Sequence, residues 1–175
     1  MDKGEEVETR KKASILPAHT CVAIWNGSME VTFPRVPVAI GTEGNRDVDI
    51  IEEEVNELLT AIRNNDLQEI CDGFADSLWT ITQAAMRRGL NINDLMRCVF
   101  ISNMSKFCKT EEEAIATCKA YSDGTHPDKL GISINCYYQK KGDLYIIYRY
   151  DDDKVLKSVN FIQPDFSFML NRSKK

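Results

Sequence analysis

Two helical patterns follow one another between Asp47 and Arg88, separated by a short polar break. In both patterns apolar residues recur every three or four positions, the spacing that places side chains on one face of a helix. The first stripe consists of Ile51, Val55, Leu58, Leu59 and Ile62, and the second of Leu67, Ile70, Phe74, Leu78, Ile81 and Ala85. Asn64-Asn65-Asp66 separates the stripes. The pattern predicts two antiparallel helices joined by a tight turn.

Two further helices are predicted downstream. Arg87-Arg88-Gly89 is typical of a helix C-terminus, and the run Asn91–Asp94 can cap a third helix that ends near Met104. Thr110-Glu111-Glu112-Glu113 resembles a capping box, which predicts a fourth helix ending near Tyr121.

After Pro127 the spacing of apolar residues changes from helical to alternating, which is typical of β-strands. Turn sequences at 141–143 and 151–153 divide this region into three short segments. The sequence therefore predicts a mainly α fold, a four- to five-helix bundle with a small C-terminal antiparallel β-meander over residues 132–159.

The length and composition favour a single domain. The 175 residues are 43% hydrophobic, enough for one core and hardly for two. Residues 15–45 mix prolines, glycines and β-branched residues, as in an extended lead-in with at most a short strand or helix. We predict a domain over 15–160, with a helical core over 46–121, a disordered tail over 1–14 and a C-terminal tail over 161–175.

Composition also limits the function. No segment approaches the roughly 20 apolar residues that cross a bilayer, so we expect a soluble, cytoplasmic protein without a membrane partner. The net charge of −5 argues weakly against nucleic acid as a partner. Six cysteines without CxxC spacing are expected to be reduced thiols, and two distant histidines, His19 and His126, do not predict a zinc site. Any metal should be bound by oxygen.

Acidic residues gather on the two central helices. Glu54 and Glu57 lie within about 60° of each other around the first helix, at the edge of its apolar stripe. On the second helix Glu69, Asp72 and Asp76 are spaced three and four residues apart and so stack on one face. A hairpin can bring the two groups together, where like charges repel unless a cation neutralises them. Mg²⁺ or Mn²⁺ suits carboxylate oxygens.

The alternative interpretation is an ordinary solvated surface. Acidic runs are common on helices, and Glu52–Glu54 lies near a helix N-terminus, where the helix dipole favours anions. Glu52 points away from the other glutamates. Trp25 and Trp79 are interpreted first as packing residues, with stacking on a nucleobase as the alternative.

The run from Arg46 to Lys106 resembles the MazG-like and phosphoribosyl-ATP pyrophosphohydrolase-like proteins of the all-α NTP pyrophosphohydrolase superfamily. Three elements carry the resemblance: Glu53-Glu54-Val55-Asn56-Glu57 (EExxE), the acidic second helix Glu69–Asp76, and Asn103-x-x-Lys106. The resemblance implies a Mg²⁺ cofactor, with Mn²⁺ as a possible substitute. It implies the hydrolysis of an NTP or dNTP to the monophosphate and pyrophosphate.

The resemblance also implies roles for individual residues. The expected metal ligands are Glu53, Glu54, Glu57, Glu69, Asp72 and Asp76. Glu53, Glu54 and Lys106 form the expected catalytic set, in which Glu53 orients or deprotonates the attacking water. Asn103 and Lys106 are expected to contact the phosphates, and Arg46 is a weaker candidate for the same role.

The second-helix ligands remain open. The family element is ExxD, which Glu69-x-x-Asp72 fits literally. If Asp76 closes the element instead, Gly73 occupies the glutamate position and departs from the pattern. Phage-type members carry a DxxxD form, which Asp72-x-x-x-Asp76 matches.

The expected function is Mg²⁺-dependent pyrophosphohydrolysis by a homodimer or homotetramer that removes non-standard or surplus deoxynucleotides. One alternative is hydrolysis of phosphoribosyl-ATP or of a nucleotide alarmone. Another is a helical interaction protein that kept the scaffold and lost the chemistry, for which Gly73 at a ligand position is the best support.

Overall fold

The computed structural model describes residues 16–171, and within that range the chain is mainly helical. Its elements are α1 (Ala18–Gly27), α2 (Arg46–Asn64), α3 (Leu67–Arg87), α4 (Ile92–Met104), α5 (Glu111–Ser122), a 3-10 helix (Pro127–Lys129), β1 (Cys136–Lys141), β2 (Leu144–Arg149) and α6 (Ser167–Leu170). The predicted fold class, helices followed by a small antiparallel sheet, is confirmed. The predicted tail over 1–14 lies outside the described residues.

The chain divides into two compact units. Of the described residues, 16–95 and 166–171 form one unit, and Met96–Asp165 form the other. The prediction of one domain over 15–160 stays a prediction. No helix in the described part of the chain has both the length and the apolar content needed to cross a bilayer.

The first unit is built on the predicted hairpin of α2 and α3. Asn65 reverses the chain in the left-handed conformation (φ 55°), which asparagine tolerates better than most residues. The Asp66 side chain then caps α3 by accepting hydrogen bonds from the backbone N–H groups of Gln68 and Glu69. A connection this short favours antiparallel packing, and α2 and α3 are in extensive contact along their lengths.

The two helices approach closely at Gly73. A Cβ atom added to Gly73 would lie only 2.9 Å from the Cα atom of Leu58, so a residue without a side chain is needed there. This contact also sets the alignment of the hairpin. One helical turn beyond this contact, on the side away from the connection, Glu54 of α2 stands at the level of Ser77 of α3.

An ion pair joins the opposite end of the hairpin. Asp47, at the start of α2, is 3% exposed. Arg87 donates from Nη1 to Asp47 Oδ1 and Arg88 from Nη1 to Oδ2, each at 2.6 Å. Burial alone would raise the pKa of Asp47, but the hydrogen bonds and positive charges of the two arginines outweigh it and lower that pKa.

The apolar stripe of α3 is not its packed side. Small residues such as Gly73 and Ser77 are buried, whereas Leu67, Phe74 and Leu78 are 73%, 58% and 51% exposed. Because Gly73 faces Leu58, the close approach of the helices buries the small residues and leaves the large ones outside. The stripe is therefore left largely uncovered by the residues that the structure describes.

The second unit packs α5 against the β1–β2 hairpin. Its buried core consists of Cys108, Ala114, Tyr121, Ile147 and Leu156. The strands pair antiparallel in a register that places Tyr137 opposite Tyr148. His126 is buried and stacks on Tyr121, with ring centroids 3.9 Å apart.

The small C-terminal sheet has two strands, so the prediction that the third segment of the meander is also a strand was wrong. Val155 forms only an isolated bridge to Tyr148. Beyond it the chain leaves the sheet: the Ser158 hydroxyl donates to the Ser105 carbonyl, and the Val159 N–H donates to the Thr117 hydroxyl. The second bond uses a backbone N–H group that would otherwise be available to extend the ladder.

Candidate active site

Glu54 is the point at which the acidic groups of the two central helices meet. Its side chain is partly buried on the α2 surface that faces α3. Burial raises the pKa of Glu54, and the negative charges of Asp76, Glu57, Glu53 and Asp72 raise it further. Two of these four groups come from α2 and two from α3. The hairpin therefore places four of the other predicted ligands within electrostatic reach of Glu54.

The surroundings of Glu54 favour binding of a cation. Mutual repulsion among carboxylates is relieved when one takes up a proton or when a positive ion enters. Ser77, at the level of Glu54, has a buried hydroxyl oxygen without a hydrogen-bond partner in the described structure. A buried polar atom of this kind is costly, and such groups frequently belong to a site that a ligand completes.

Glu69 lies apart from this group. An open groove of about 440 Å³ runs beside the hairpin connection, and Glu57 and Glu69 both line it. Its remaining lining residues are Asn56, Thr60, Ala61, Asn64 and Asp66. The acidic residues of α3 are thus divided, because Asp72 and Asp76 act on Glu54 whereas Glu69 faces the groove with Glu57.

The close contact of Gly73 with α2 explains why the sequence departs from the ExxD pattern at this position. Any side chain at this position would run into the backbone of α2 at Leu58. A glutamate at position 73 is therefore incompatible with this hairpin, and the carboxylates that α3 offers are those of Glu69, Asp72 and Asp76.

The carboxylate oxygens around Glu54 are the kind of ligand that a hard divalent cation prefers. Within residues 16–171, no three carboxylate, histidine or cysteine side chains stand close enough together to enclose an ion. Glu53, Glu57, Asp72 and Asp76 are exposed and free to turn toward Glu54. The predicted Mg²⁺ site and its ligands stay predictions.

The remaining predicted residues come from other parts of the sequence. Asn103 is exposed and Lys106 half-buried, and both belong to the second unit. Arg46 pairs with Glu43 at 3.3 Å on the surface. Glu52 is exposed, in agreement with the interpretation that it is a solvated bystander. The substrate-binding roles of Asn103, Lys106 and Arg46 stay predictions.

Two features of the first unit escaped the sequence analysis. One is the ion pair of Asp47 with Arg87 and Arg88. An antiparallel hairpin brings the start of α2 close to the end of α3. The signal available in the sequence was an acidic residue at the start of α2 and a pair of basic residues at the end of α3. The other is α1, which packs on α3 through Trp25 and Trp79. Nothing in the pattern of residues 18–27 indicated that contact.

Comparison with known proteins finds a family model that matches the hairpin. Residues 34–103 match the family model described as phosphoribosyl-ATP pyrophosphohydrolase, which belongs to the MazG-like all-α NTP pyrophosphohydrolase superfamily. The matched segment contains α2, α3 and nearly all of α4. The resemblance predicted from the sequence is confirmed.

An uncharacterized protein of Acanthamoeba polyphaga mimivirus is 27% identical to the chain over 133 residues. The alignment covers 74% of this chain and 52% of that protein, so the chain spans about half the length of this relative. No solved structure matches the chain significantly.

Proposed function

We propose that this chain is a Mg²⁺-dependent nucleoside triphosphate pyrophosphohydrolase that converts an NTP or dNTP and water to the monophosphate and pyrophosphate. The observation that carries the proposal is the position of Glu54 among carboxylates from both helices of the hairpin. The family match supports the broader reaction class, hydrolysis of a phosphoanhydride bond.

Glu54, Glu57, Asp72 and Asp76 would hold the cation, with Glu69 as a further ligand at the groove. Bound Mg²⁺ would neutralise the polyphosphate and stabilise the charge that develops on the leaving pyrophosphate. Glu53 is exposed beside Glu54, where its carboxylate can orient a water molecule or accept its proton.

Phosphate binding completes the proposed mechanism. The Lys106 ammonium supplies a positive charge for a phosphate oxygen, and the Asn103 amide supplies a neutral donor. Arg46 is available as well, because its partner Glu43 holds it only by a surface ion pair, which contributes little.

The uncovered stripe of α3 favours a second copy of the chain as partner. Leu67, Phe74, Leu78 and Ile81 are all exposed along about four turns of this helix. Contiguous exposed apolar surface of this kind marks interaction sites. A homodimer, or a tetramer built from two dimers, would bury it beside the carboxylates.

The substrate has a second candidate. The matched family is described by its action on phosphoribosyl-ATP, so that compound and related phosphoanhydrides such as nucleotide alarmones stay in the test panel. The interaction scaffold without activity loses its main support, because packing against Leu58 is sufficient reason for glycine at position 73. The proposed biological role is the removal of surplus or non-standard nucleotides in the cytoplasm.

The decisive experiment is a panel of NTPs, dNTPs and phosphoribosyl-ATP incubated with Mg²⁺, with identification of the products. We expect monophosphate and pyrophosphate from at least one nucleoside triphosphate, and no turnover without a divalent ion. Glu54→Gln and Asp76→Asn should lose activity while remaining folded, and Glu52→Gln on the solvated side of α2 is the matched control. Full activity in either site variant, or release of orthophosphate alone, contradicts the proposal.

A further inference from the structure

A single row of side chains along α3 leads from the acidic group to the contact with α1. Asp72, Asp76, Trp79 and Gln83 are spaced four, three and four residues apart, which places them on one side of the helix. The far end of the row is covered by α1, where Gln83 donates from Nε2 to Asn26 Oδ1 at 3.4 Å. Asp72 and Asp76 at the near end remain exposed.

The two indole rings meet where the covered part of the row begins. Trp25 of α1 and Trp79 of α3 pack edge to face, with centroids 5.7 Å apart and planes at 83°. In this arrangement one ring uses an edge and the other one face, so flat aromatic surface remains on both. Trp25 is 45% exposed and Trp79 half-buried, which leaves part of that surface accessible.

We propose that Trp25 and Trp79 form the subsite for the base of the nucleotide, an inference that rests on the proposed function. Trp79 lies three residues beyond Asp76, a rise of roughly 4.5 Å along the helix. A nucleotide whose phosphates lie at Asp72 and Asp76 therefore carries its base to the indole pair. Stacking on an indole accepts every base, because each base has a π-face.

The first test uses the intrinsic fluorescence of the unmodified protein. The chain contains two tryptophans, and both belong to this pair, so the signal reports on the subsite alone. Nucleoside 5′-monophosphates, with Mg²⁺ present and excitation beyond the absorption of the bases, should quench the emission. Tripolyphosphate should produce a much smaller change. No quenching by any nucleotide, or an equal response to tripolyphosphate, overturns the proposal.

The second test separates the base from the phosphates. Trp25→Ala should raise the KM for the preferred nucleoside triphosphate by about 5- to 150-fold, the range found for the loss of one base–aromatic stack. The inhibition constant of tripolyphosphate should stay unchanged, because that ligand has no base. Trp25→Phe should recover most of the binding.

The control for these variants is Ile24→Ala, which changes the exposed neighbour of Trp25 on α1 and should leave the KM unchanged. If Trp25→Ala weakened tripolyphosphate and nucleotide equally, the indole pair would serve only to pack α1 on α3, and the subsite would be refuted. The fluorescence test does not require turnover. Quenching without hydrolysis would support the subsite and refute the proposed activity, and hydrolysis without quenching would do the reverse.

Discussion

A Cβ atom on Gly73 would lie 2.9 Å from the Cα atom of Leu58, so α2 and α3 touch where only glycine fits. The site depends on this contact, because it fixes the level of Glu54 relative to Asp72 and Asp76.

Replacing Gly73 by alanine should destabilise the protein. Alanine gains about 1 kcal/mol from helix propensity, but its methyl group collides with backbone that cannot turn aside. We expect a net loss of about 1–3 kcal/mol in the free energy of unfolding, measured with urea. Gly27→Ala, at the end of α1 with open space around it, is the matched control and should cost nothing. An unchanged Gly73→Ala variant would show that the helices are farther apart.

Glu54→Gln should lower activity without lowering stability. Removing this charge relieves repulsion from Asp76, Glu57, Glu53 and Asp72, so without divalent ions the variant should be as stable as the parent or more stable by a few tenths of a kcal/mol. Activity should fall at least a hundredfold, on the order expected for loss of one catalytic electrostatic group. Thermal unfolding in chelator and an assay in Mg²⁺ measure the two effects. A variant clearly less stable than the parent would mean that Glu54 is a structural residue.

Asp47→Asn should destabilise the hairpin, because it leaves Arg87 and Arg88 half-buried without their counter-charge. Loss of one member of a buried pair costs about 3–5 kcal/mol, and the partial exposure of the arginines puts this variant at the lower end.

Asp47 should also make the free energy of unfolding depend on pH. The pKa of Asp47 is lowered in the folded chain, so its contribution is complete above its ordinary value of 3.8 and is lost as the pH falls through the lower folded value. The difference in stability between parent and variant should therefore shrink only in strong acid. A difference that disappears near neutral pH would contradict the ion pair.

His126 should make the second unit sensitive to mild acid. Its Nδ1 accepts a hydrogen bond from the Asp128 N–H, so a proton added at Nδ1 would face another donor. Burial lowers the pKa of His126 below its ordinary value of 6.5, although interactions with the backbone of Ser158 and with the charge of Asp128 oppose it. The free energy of unfolding should therefore be highest above pH 6.5 and decrease as the pH falls toward the folded pKa.

His126→Gln, which cannot titrate, should show a flatter pH profile over this interval when unfolding is monitored by circular dichroism. Equal slopes in parent and variant would assign the acid sensitivity to other groups.

Phe74→Lys should convert the proposed dimer to monomers. Phe74 stands in the uncovered stripe of α3, and a lysine there would place a charge in the apolar contact. Light scattering coupled to size-exclusion chromatography measures the mass. Ile24→Lys, an exposed apolar position on α1, is the control and should leave the mass unchanged. A parent protein that runs as a monomer would refute the second copy as partner.

The helices were predictable because their signals are local. Asp66 caps α3 through bonds to residues two and three positions ahead, and Thr110 caps α5 in the same way. The acidic residues of the candidate site could be chosen by spacing for the same reason. What spacing could not supply was the side of α3 that faces α2, since that depends on the contact of Gly73 with Leu58.

The sequence predictions were wrong or incomplete where a hydrogen-bonding group pairs with a residue far away in the sequence. The segment after Val155 has a strand pattern, yet its hydrogen bonds go to Ser105 and Thr117 about forty or more positions away. The pairing of Asp47 with two arginines spans a similar distance in sequence. Neither partner can be chosen by a pattern that extends over only one or two helical turns.

The pairing of Asp47 with Arg87 and Arg88 also bears on the energetics of ligand binding. Carboxylates that repel one another would separate if nothing else held their helices, but this hairpin is fixed by a two-residue connection at one end and by the ion pair at the other. Folding therefore supplies the work of assembling the negative charges before any ligand arrives. A cation that binds at Glu54 relieves this repulsion, and the free energy released adds to its affinity. Variants that lose the ion pair of Asp47 should therefore bind the cation more weakly, although they keep every candidate ligand.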